Sequence, residues 1–249
     1  MNDISDSLSA IEQAISSSDP ADLEVAAVSA KWLDDQITES KSDPAQMALW
    51  TSSTVVDGNA EFPLLNRRVF TWLHRGLPDA YGFPIGHAGL MHTYGYLLSP
   101  VVTAYGLKRE RWLTADLAEA FGLKASFFYP TASAAPLMER VAHVALPTLT
   151  DPLATSGTVL ALDEVVDESR KMRTVFVSNA GRNATAAVYG SVTDGVVQLV
   201  SAFPVKGFSA EYVVERLAGP TRYRYNYSPP GALPGSEFDG ELDILICAR

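Results

Sequence analysis

The sequence predicts an α+β fold with a mostly antiparallel sheet, flanking helices and an N-terminal helical hairpin. Three observations predict this class: helical spacing of apolar residues near the N-terminus, short β-rich runs joined by turns in the last third, and no regular helical crossovers between those runs. The chain has 249 residues, 47% hydrophobic and 19% charged. Because that length and composition allow a sizeable core, we expect a single domain over residues 1–249.

Residues 1–42 are predicted to form an acidic helical hairpin packed on the body. Apolar side chains recur at helical spacing in its first helix: Ile4, Leu8, Ile11 and Ile15. A Ser-Ser-Ser-Asp-Pro break at 16–20 ends that helix. Asp19 and Pro20 suit the start of a second helix that continues to about Ser40.

The middle of the chain is predicted to mix strands and helices around a loop rich in Gly and Pro. The expected elements are a strand at 49–56, a helix at 64–74, extended segments at 90–102 and 103–112, and helices at 114–121 and 136–145. In a compact domain, a loop as long as 76–89 more often has a function than serves only as a connection.

The last third predicts the sheet most clearly. Three β-rich runs separated by turn residues form a meander at 173–178, 184–191 and 196–203. A helix at 209–217 and strands at 222–227 and 242–247 follow.

Composition disfavours several classes of partner. A net charge of −10 opposes broad contact with nucleic acid or an anionic membrane. No run approaches the roughly 18 apolar residues of a membrane span, and the first residues lack the basic segment of an export signal. The single cysteine, Cys247, cannot form an intramolecular disulfide, so we expect a cytoplasmic protein. A homo-oligomer is compatible with the sequence.

Charge is unevenly distributed, which points to the candidate site. Residues 1–60 contain eleven acids against two lysines, a balance of −9, whereas residues 61–111 have a balance of +3. The same basic segment contains three of the four histidines. Cationic donors beside aromatic rings suit a small anionic ligand, so we expect the site in residues 61–111.

The candidate catalytic residues are His92, His87 and Tyr94. If 90–102 is a strand, His92, Tyr94 and Tyr96 share one face, which is too polar for an ordinary core. His92 then serves as a general acid or base, with His87 brought close by the flexible loop and Tyr94 as a hydrogen-bond donor. The alternative is that these rings only cover the sheet.

The candidate substrate-binding residues lie mainly in 105–112. In an extended segment Tyr105, Arg109 and Arg111 share one side, and two arginines can hold a carboxylate or phosphate with paired donors. The cationic set is completed by Lys108 and Arg75. An edge strand protected by its charges is the alternative.

A metal site is the less favoured interpretation of the histidines. His87 and His92 would bind a divalent ion together with Glu61 or Asp79, although no established metal-binding spacing is present. No nucleotide-binding loop pattern occurs, so we expect no organic cofactor.

These observations predict a small-molecule enzyme that uses His/Tyr acid–base chemistry on an anionic, carboxylate-bearing substrate, as a lyase, isomerase or hydrolase. One alternative is a ligand-sensing or protein-interaction module that breaks no bond, and another is a metal-dependent enzyme. A nuclease-like domain is least compatible with the net charge of −10.

Overall fold

The computed structural model describes residues 4–17, 22, 31–57, 62–77, 81–103 and 106–205, and the backbone of 242–246. Within these ranges the α+β class is confirmed, with helices around an antiparallel sheet. The predicted helix at 209–217 and strand at 222–227 lie outside the described residues. That the chain forms one domain stays a prediction.

The main sheet has five antiparallel strands in the order β8-β7-β6-β5-β9. Their bounds are β5 Thr158–Val165, β6 Arg170–Asn179, β7 Ala184–Thr193, β8 Val196–Val205 and β9 Leu242–Ile246. The predicted meander is therefore correct, and its strands are longer than the β-rich runs. The sequence patterns missed β5, which pairs with both β6 and the C-terminal β9.

The N-terminal region contains three described helices: α1 Ile4–Ser16, α2 Lys31–Ser42 and α3 Pro44–Ala48. Helix α1 ends where the sequence predicts and buries Leu8, Ile11 and Ile15. Of the second predicted helix only the part from Lys31 onward is described, so the hairpin itself stays a prediction. Helix α3 begins at an Asp43 cap whose carboxylate accepts two backbone N–H groups.

A short strand pair connects the N-terminal helices to the candidate site. Strand β1 covers Ser52–Thr54 and pairs antiparallel with β2, Ile85–His87. The backbone at 49–51 also bonds to Leu199 of β8, which attaches this pair to the edge of the main sheet. Between β1 and β2 lies α4, Arg67–His74, which starts three residues later than predicted.

The predicted extended segment at 90–102 is wrong. Leu90–Gly95 form a π-helix that continues as α5, Tyr96–Leu98, and every residue from 90 to 98 is buried. A helix buried on all sides has no polar face, so its apolar run resembles a buried strand. His92, Tyr94 and Tyr96 therefore do not share a strand face.

The segment at 103–112 is also not one strand. Strands β3, Val102–Thr103, and β4, Gly106–Leu107, form a two-residue ladder, and α6 follows at Glu110–Leu113. The premise that Arg109 and Arg111 line one side of an extended segment is therefore wrong.

Helices α7, Asp116–Ala120, and α8, Leu137–Thr150, pack on β7 and β8. Both were predicted, although α7 is shorter than expected and α8 continues past Pro147. In the part of the chain that the structure describes, no helix has both the length and the apolarity needed to cross a bilayer.

Candidate functional site

Seven polar and aromatic side chains meet between β1, the π-helix, α6 and the edge strand β8. We call this group the basic cluster: Ser53, Asp57, His92, Tyr96, Lys108, Arg111 and Ser201. Its members come from four separate parts of the chain and are almost completely buried, apart from the side chain of Lys108, which is 14% exposed. The cluster is therefore a built feature of the interior.

Arg111 is the central cation of the basic cluster. Its Nη1 donates to Ser201 Oγ at 2.9 Å and to the Ala202 carbonyl at 3.5 Å, and its guanidinium carbon lies 5.1 Å from the centre of the Tyr96 ring. Among the described residues no carboxylate lies within ion-pair distance of it. Burial lowers the pKa of Arg111 to about 10, so the group is still charged at neutral pH. Its Nε and Nη2 donors make no hydrogen bond to a described residue.

Two other buried arginines show why Arg111 differs. Arg140 donates to the carbonyls of Phe127, Tyr129, Pro130 and Ala135, so its guanidinium nitrogens are all engaged. Arg109 uses both terminal nitrogens, for Ser9 Oγ at 3.3 Å and the Ser99 carbonyl at 3.2 Å. Arg111 alone among these three offers the adjacent Nε and Nη2 pair that grips a carboxylate side-on.

Lys108 and Asp57 form the ion pair of the cluster, with Nζ 2.8 Å from Oδ2. With one carboxylate and two cations, the described members carry one excess positive charge while His92 is neutral. An uncompensated charge in the interior costs free energy, so the charge balance of the cluster bears on what it can bind.

His92 is the histidine that the structure places beside these cations. Its Nε2 lies 2.9 Å from Ser53 Oγ, its ring stacks on Tyr96 at 4.8 Å between centroids, and its Nδ1 has no hydrogen-bond partner. Burial holds the pKa of His92 well below its usual value, and the charges of Arg111 and Lys108 lower it further. The imidazole is therefore neutral at pH 7.

His87 lies apart from the basic cluster, in a hydrogen-bonded pair with His74. The His87 backbone N–H donates to His74 Nε2 at 2.9 Å, and His74 Nδ1 donates to the Phe70 carbonyl at 2.8 Å. The His87 ring donates from Nε2 to the Met47 carbonyl at 3.0 Å and accepts the Leu90 N–H at Nδ1. Burial lowers the pKa of both rings to about 4. Both imidazoles are thus neutral at pH 7 because they are buried.

Tyr94 is buried in contacts with the helices. Its hydroxyl lies 2.8 Å from Ser40 Oγ and accepts the Met138 N–H at 3.4 Å, and burial raises its pKa to about 12. Arg75 is exposed near Asp34, with Nη2 3.7 Å from Oδ1. Tyr105 lies outside the described residues. The structure therefore brings together His92, Lys108 and Arg111, and places His87, Tyr94, Arg75 and Arg109 elsewhere.

The metal reading finds no support in the described residues. They contain no group of three His, Cys, Asp or Glu side chains close enough to hold a metal ion. Both nitrogens of His87 are engaged with backbone groups. Glu61 and Asp79, the acids proposed as further ligands, lie outside the described residues.

Three cluster members were missed by sequence reasoning: Ser53, Asp57 and Ser201. Ser53 and Ser201 lie on strands whose local patterns are ordinary, and Asp57 was interpreted only as part of a turn. The pairing of Leu199 of β8 with the backbone at 49–51 brings the strands of Ser201 and Ser53 together, and Asp57 joins the cluster through its ion pair with Lys108. No short-range pattern reports that pairing.

Comparisons with known proteins identify no family for this chain. The chain matches no protein-family model, no curated protein and no solved structure.

Proposed function

We propose that this protein binds a small carboxylate-bearing molecule at the basic cluster. The observation that supports the proposal is the buried Arg111 guanidinium, whose Nε and Nη2 donors and positive charge have no partner among the described residues. A carboxylate that accepts both donors would neutralise the excess charge and form a bidentate, charge-assisted pair. The partly exposed Lys108 marks the side from which the ligand enters.

Acetate is the probe for this proposal, and acetamide is its neutral isostere. We expect saturable chemical-shift changes at the cluster with acetate and none with acetamide. Arg111→Lys keeps the charge but loses the planar fork, so acetate affinity falls at least about tenfold. Arg75→Gln removes an exposed cation outside the cluster and leaves the affinity unchanged. Equal responses to acetate and acetamide, or full affinity in a folded Arg111→Lys variant, would refute carboxylate binding.

Acid–base catalysis on the bound carboxylate is the second candidate function, favoured by the position of His92. Its Nδ1 is unpartnered and its Nε2 contacts the Ser53 hydroxyl, so the ring has a nitrogen available for proton transfer. Burial is the main cause of the low pKa of His92, and the charges of Arg111 and Lys108 lower this pKa further, so an anion that offsets their charge raises it. The ligand itself thus makes His92 a better base.

Proton uptake tests this second candidate. We expect acetate binding to take up protons, measured by calorimetry in two buffers of different ionisation enthalpy, and we expect His92→Gln to bind acetate without uptake. Binding without uptake in the unmodified protein would leave recognition as the function and discard the catalytic role of His92. The proposed setting is the cytoplasm, which the single cysteine supports.

A further inference from the structure

Asp57 places a carboxylate inside the basic cluster, next to the cations that would bind an anion. Its Oδ2 lies 2.8 Å from Lys108 Nζ, and its side chain is only 3% exposed. Burial lowers the pKa of Arg111, whereas the neighbouring Tyr96 and Asp57 raise it. The negative charge of Asp57 is therefore felt at the guanidinium to which a carboxylate ligand would bind.

The backbone around Asp57 fixes the position of this carboxylate. Asp57 follows β1, and its backbone N–H donates to the Phe62 carbonyl at 3.2 Å. One step further from the turn, the Leu64 N–H donates to the Val55 carbonyl at 2.8 Å. These bonds close the base of the turn, and the ion pair with Lys108 holds the side chain. A ligand therefore meets Asp57 in a defined place.

Aromatic rings surround the guanidinium of Arg111. Its central carbon lies 5.1 Å from the ring centre of Tyr96, 5.8 Å from that of Trp112 and 5.6 Å from that of Phe203. These rings attract a cation through their faces but carry no net charge. Because charges separated by buried protein are screened less than charges in water, a ligand here is sensitive to the charge of Asp57.

The charged residues on either side of Arg111 and Lys108 in sequence contribute less to this environment. Glu110 is exposed, and its Oε2 lies 2.8 Å from the place of a Cβ added at Gly106, so it faces the β3–β4 turn and water screens its charge. Arg109 is directed to α1 and to the end of α5 by its hydrogen bonds. In the part of the chain that the structure describes, the buried charges beside Arg111 are thus those of the Lys108–Asp57 ion pair.

We propose that Asp57 restricts the ligand of the basic cluster to a single negative charge, so that monocarboxylates bind and dicarboxylates and other dianions are excluded. This inference rests on the proposed binding of a carboxylate at Arg111. A monoanion matches the one excess positive charge of the described cluster members. A second negative charge on the ligand is repelled by the buried carboxylate of Asp57. Asp57 is in this sense a specificity-determining residue.

Oxamate and oxalate are the probes, because they have nearly the same shape and differ by one negative charge at neutral pH. We expect the unmodified protein to bind oxamate at least about tenfold more tightly than oxalate. Asp57→Asn keeps the size of the side chain and removes its charge, so the preference for oxamate should fall at least about tenfold. Asp34→Asn removes an exposed carboxylate outside the cluster and should keep the preference. Calorimetry measures the affinities.

Three results would overturn the proposal. The first is equal or tighter binding of oxalate by the unmodified protein, which decides the matter even where Asp57→Asn does not fold. The second is an unchanged preference in a folded Asp57→Asn variant. The third is a protein that binds acetate but not oxamate, because shape and not charge would then limit the ligand. Absence of acetate binding at Arg111 is a different result, and it would refute the proposed function itself.

Discussion

Buried arginines in this protein fall into two physical kinds. The Arg140 guanidinium donates to several backbone carbonyls and so stabilises the loop before α8. Arg111, in contrast, has donors without a hydrogen-bond partner and has no carboxylate partner among the described residues. The first kind stabilises the fold, because charged hydrogen bonds replace those to water. The second kind costs stability, and we propose that a bound anion offsets this cost.

Replacing each arginine by methionine separates the two kinds. We expect Arg111→Met to keep or raise the free energy of unfolding, by up to about 1 kcal/mol, because an uncompensated buried charge is removed. Arg140→Met should lose about 3 kcal/mol, because several carbonyls are left without donors. Urea denaturation without ligand measures both. A loss for Arg111→Met as large as that for Arg140→Met would show that Arg111 is structural.

Close packing explains Gly86, one of the glycines of the predicted loop. A Cβ added at Gly86 would lie 2.5 Å from His74 Nε2 and 2.5 Å from Phe70 Cε2, so this glycine lets the stacked rings of α4 reach β2. The absence of a side chain at Gly86 thus accommodates the protein's own rings.

Alanine at two nearby glycines tests this packing at the scale of the element. Gly86→Ala should destabilise the protein by about 1–3 kcal/mol, since overpacking forces the rings to move. Gly82→Ala meets nothing within 4 Å and should change stability by less than about 0.5 kcal/mol. Thermal and urea unfolding of the two variants provide the comparison. Equal effects would mean that the ring contact does not require glycine.

The neutral His74–His87 pair makes the β1–β2 region sensitive to acid. Both pKa values are lowered in the folded protein from 6.5 to about 4, so the unfolded chain binds the extra protons first. Stability is complete above about pH 6.5 and decreases as the pH falls toward 4. Each ring contributes about 3 kcal/mol to this loss.

The double variant His74→Gln/His87→Gln tests this interpretation. We expect it to flatten the dependence of unfolding free energy on pH between 6.5 and 4, with a residual slope from His92. His143→Gln, on an exposed position of α8, should retain the full slope. A slope in the double variant equal to that of the unmodified protein would contradict the assignment.

Elements that are bounded by turn residues were predictable from the sequence, whereas elements that are buried on all sides were not. The meander from 173 to 203 was found because turn residues separate its strands. The π-helix was mistaken for a strand because Leu90, Met91, Leu97 and Leu98 are all buried and leave no helical stripe. Strand β5 was missed for a related reason: it lies between β6 and β9, and residues 161–164 are buried in succession, so no alternation of exposed and buried positions marks it.

At the scale of the whole molecule, charge is unevenly distributed: residues 1–60 are acidic and residues 61–111 are basic. Lys108, Arg111 and His92 all lie in the basic segment 61–111, because an excess of cations inside an acidic chain is visible in composition; that this segment forms a ligand site stays a prediction. Composition does not report which cations are buried or unpaired. Ser53, Asp57 and Ser201 join the cluster through tertiary contacts between distant parts of the chain, which require the folded protein.

The central claim is that Arg111 holds its Nε and Nη2 donors for an anion, and the Nε–Hε resonances of the arginines report on it directly. On titration with acetate we predict that the ¹⁵Nε and ¹Hε shifts of Arg111 move and saturate, while those of Arg75 and Arg140 stay constant. If the Arg111 resonance stays fixed while acetate saturates any other part of the protein, the donors are not the anion site and the proposed function is wrong.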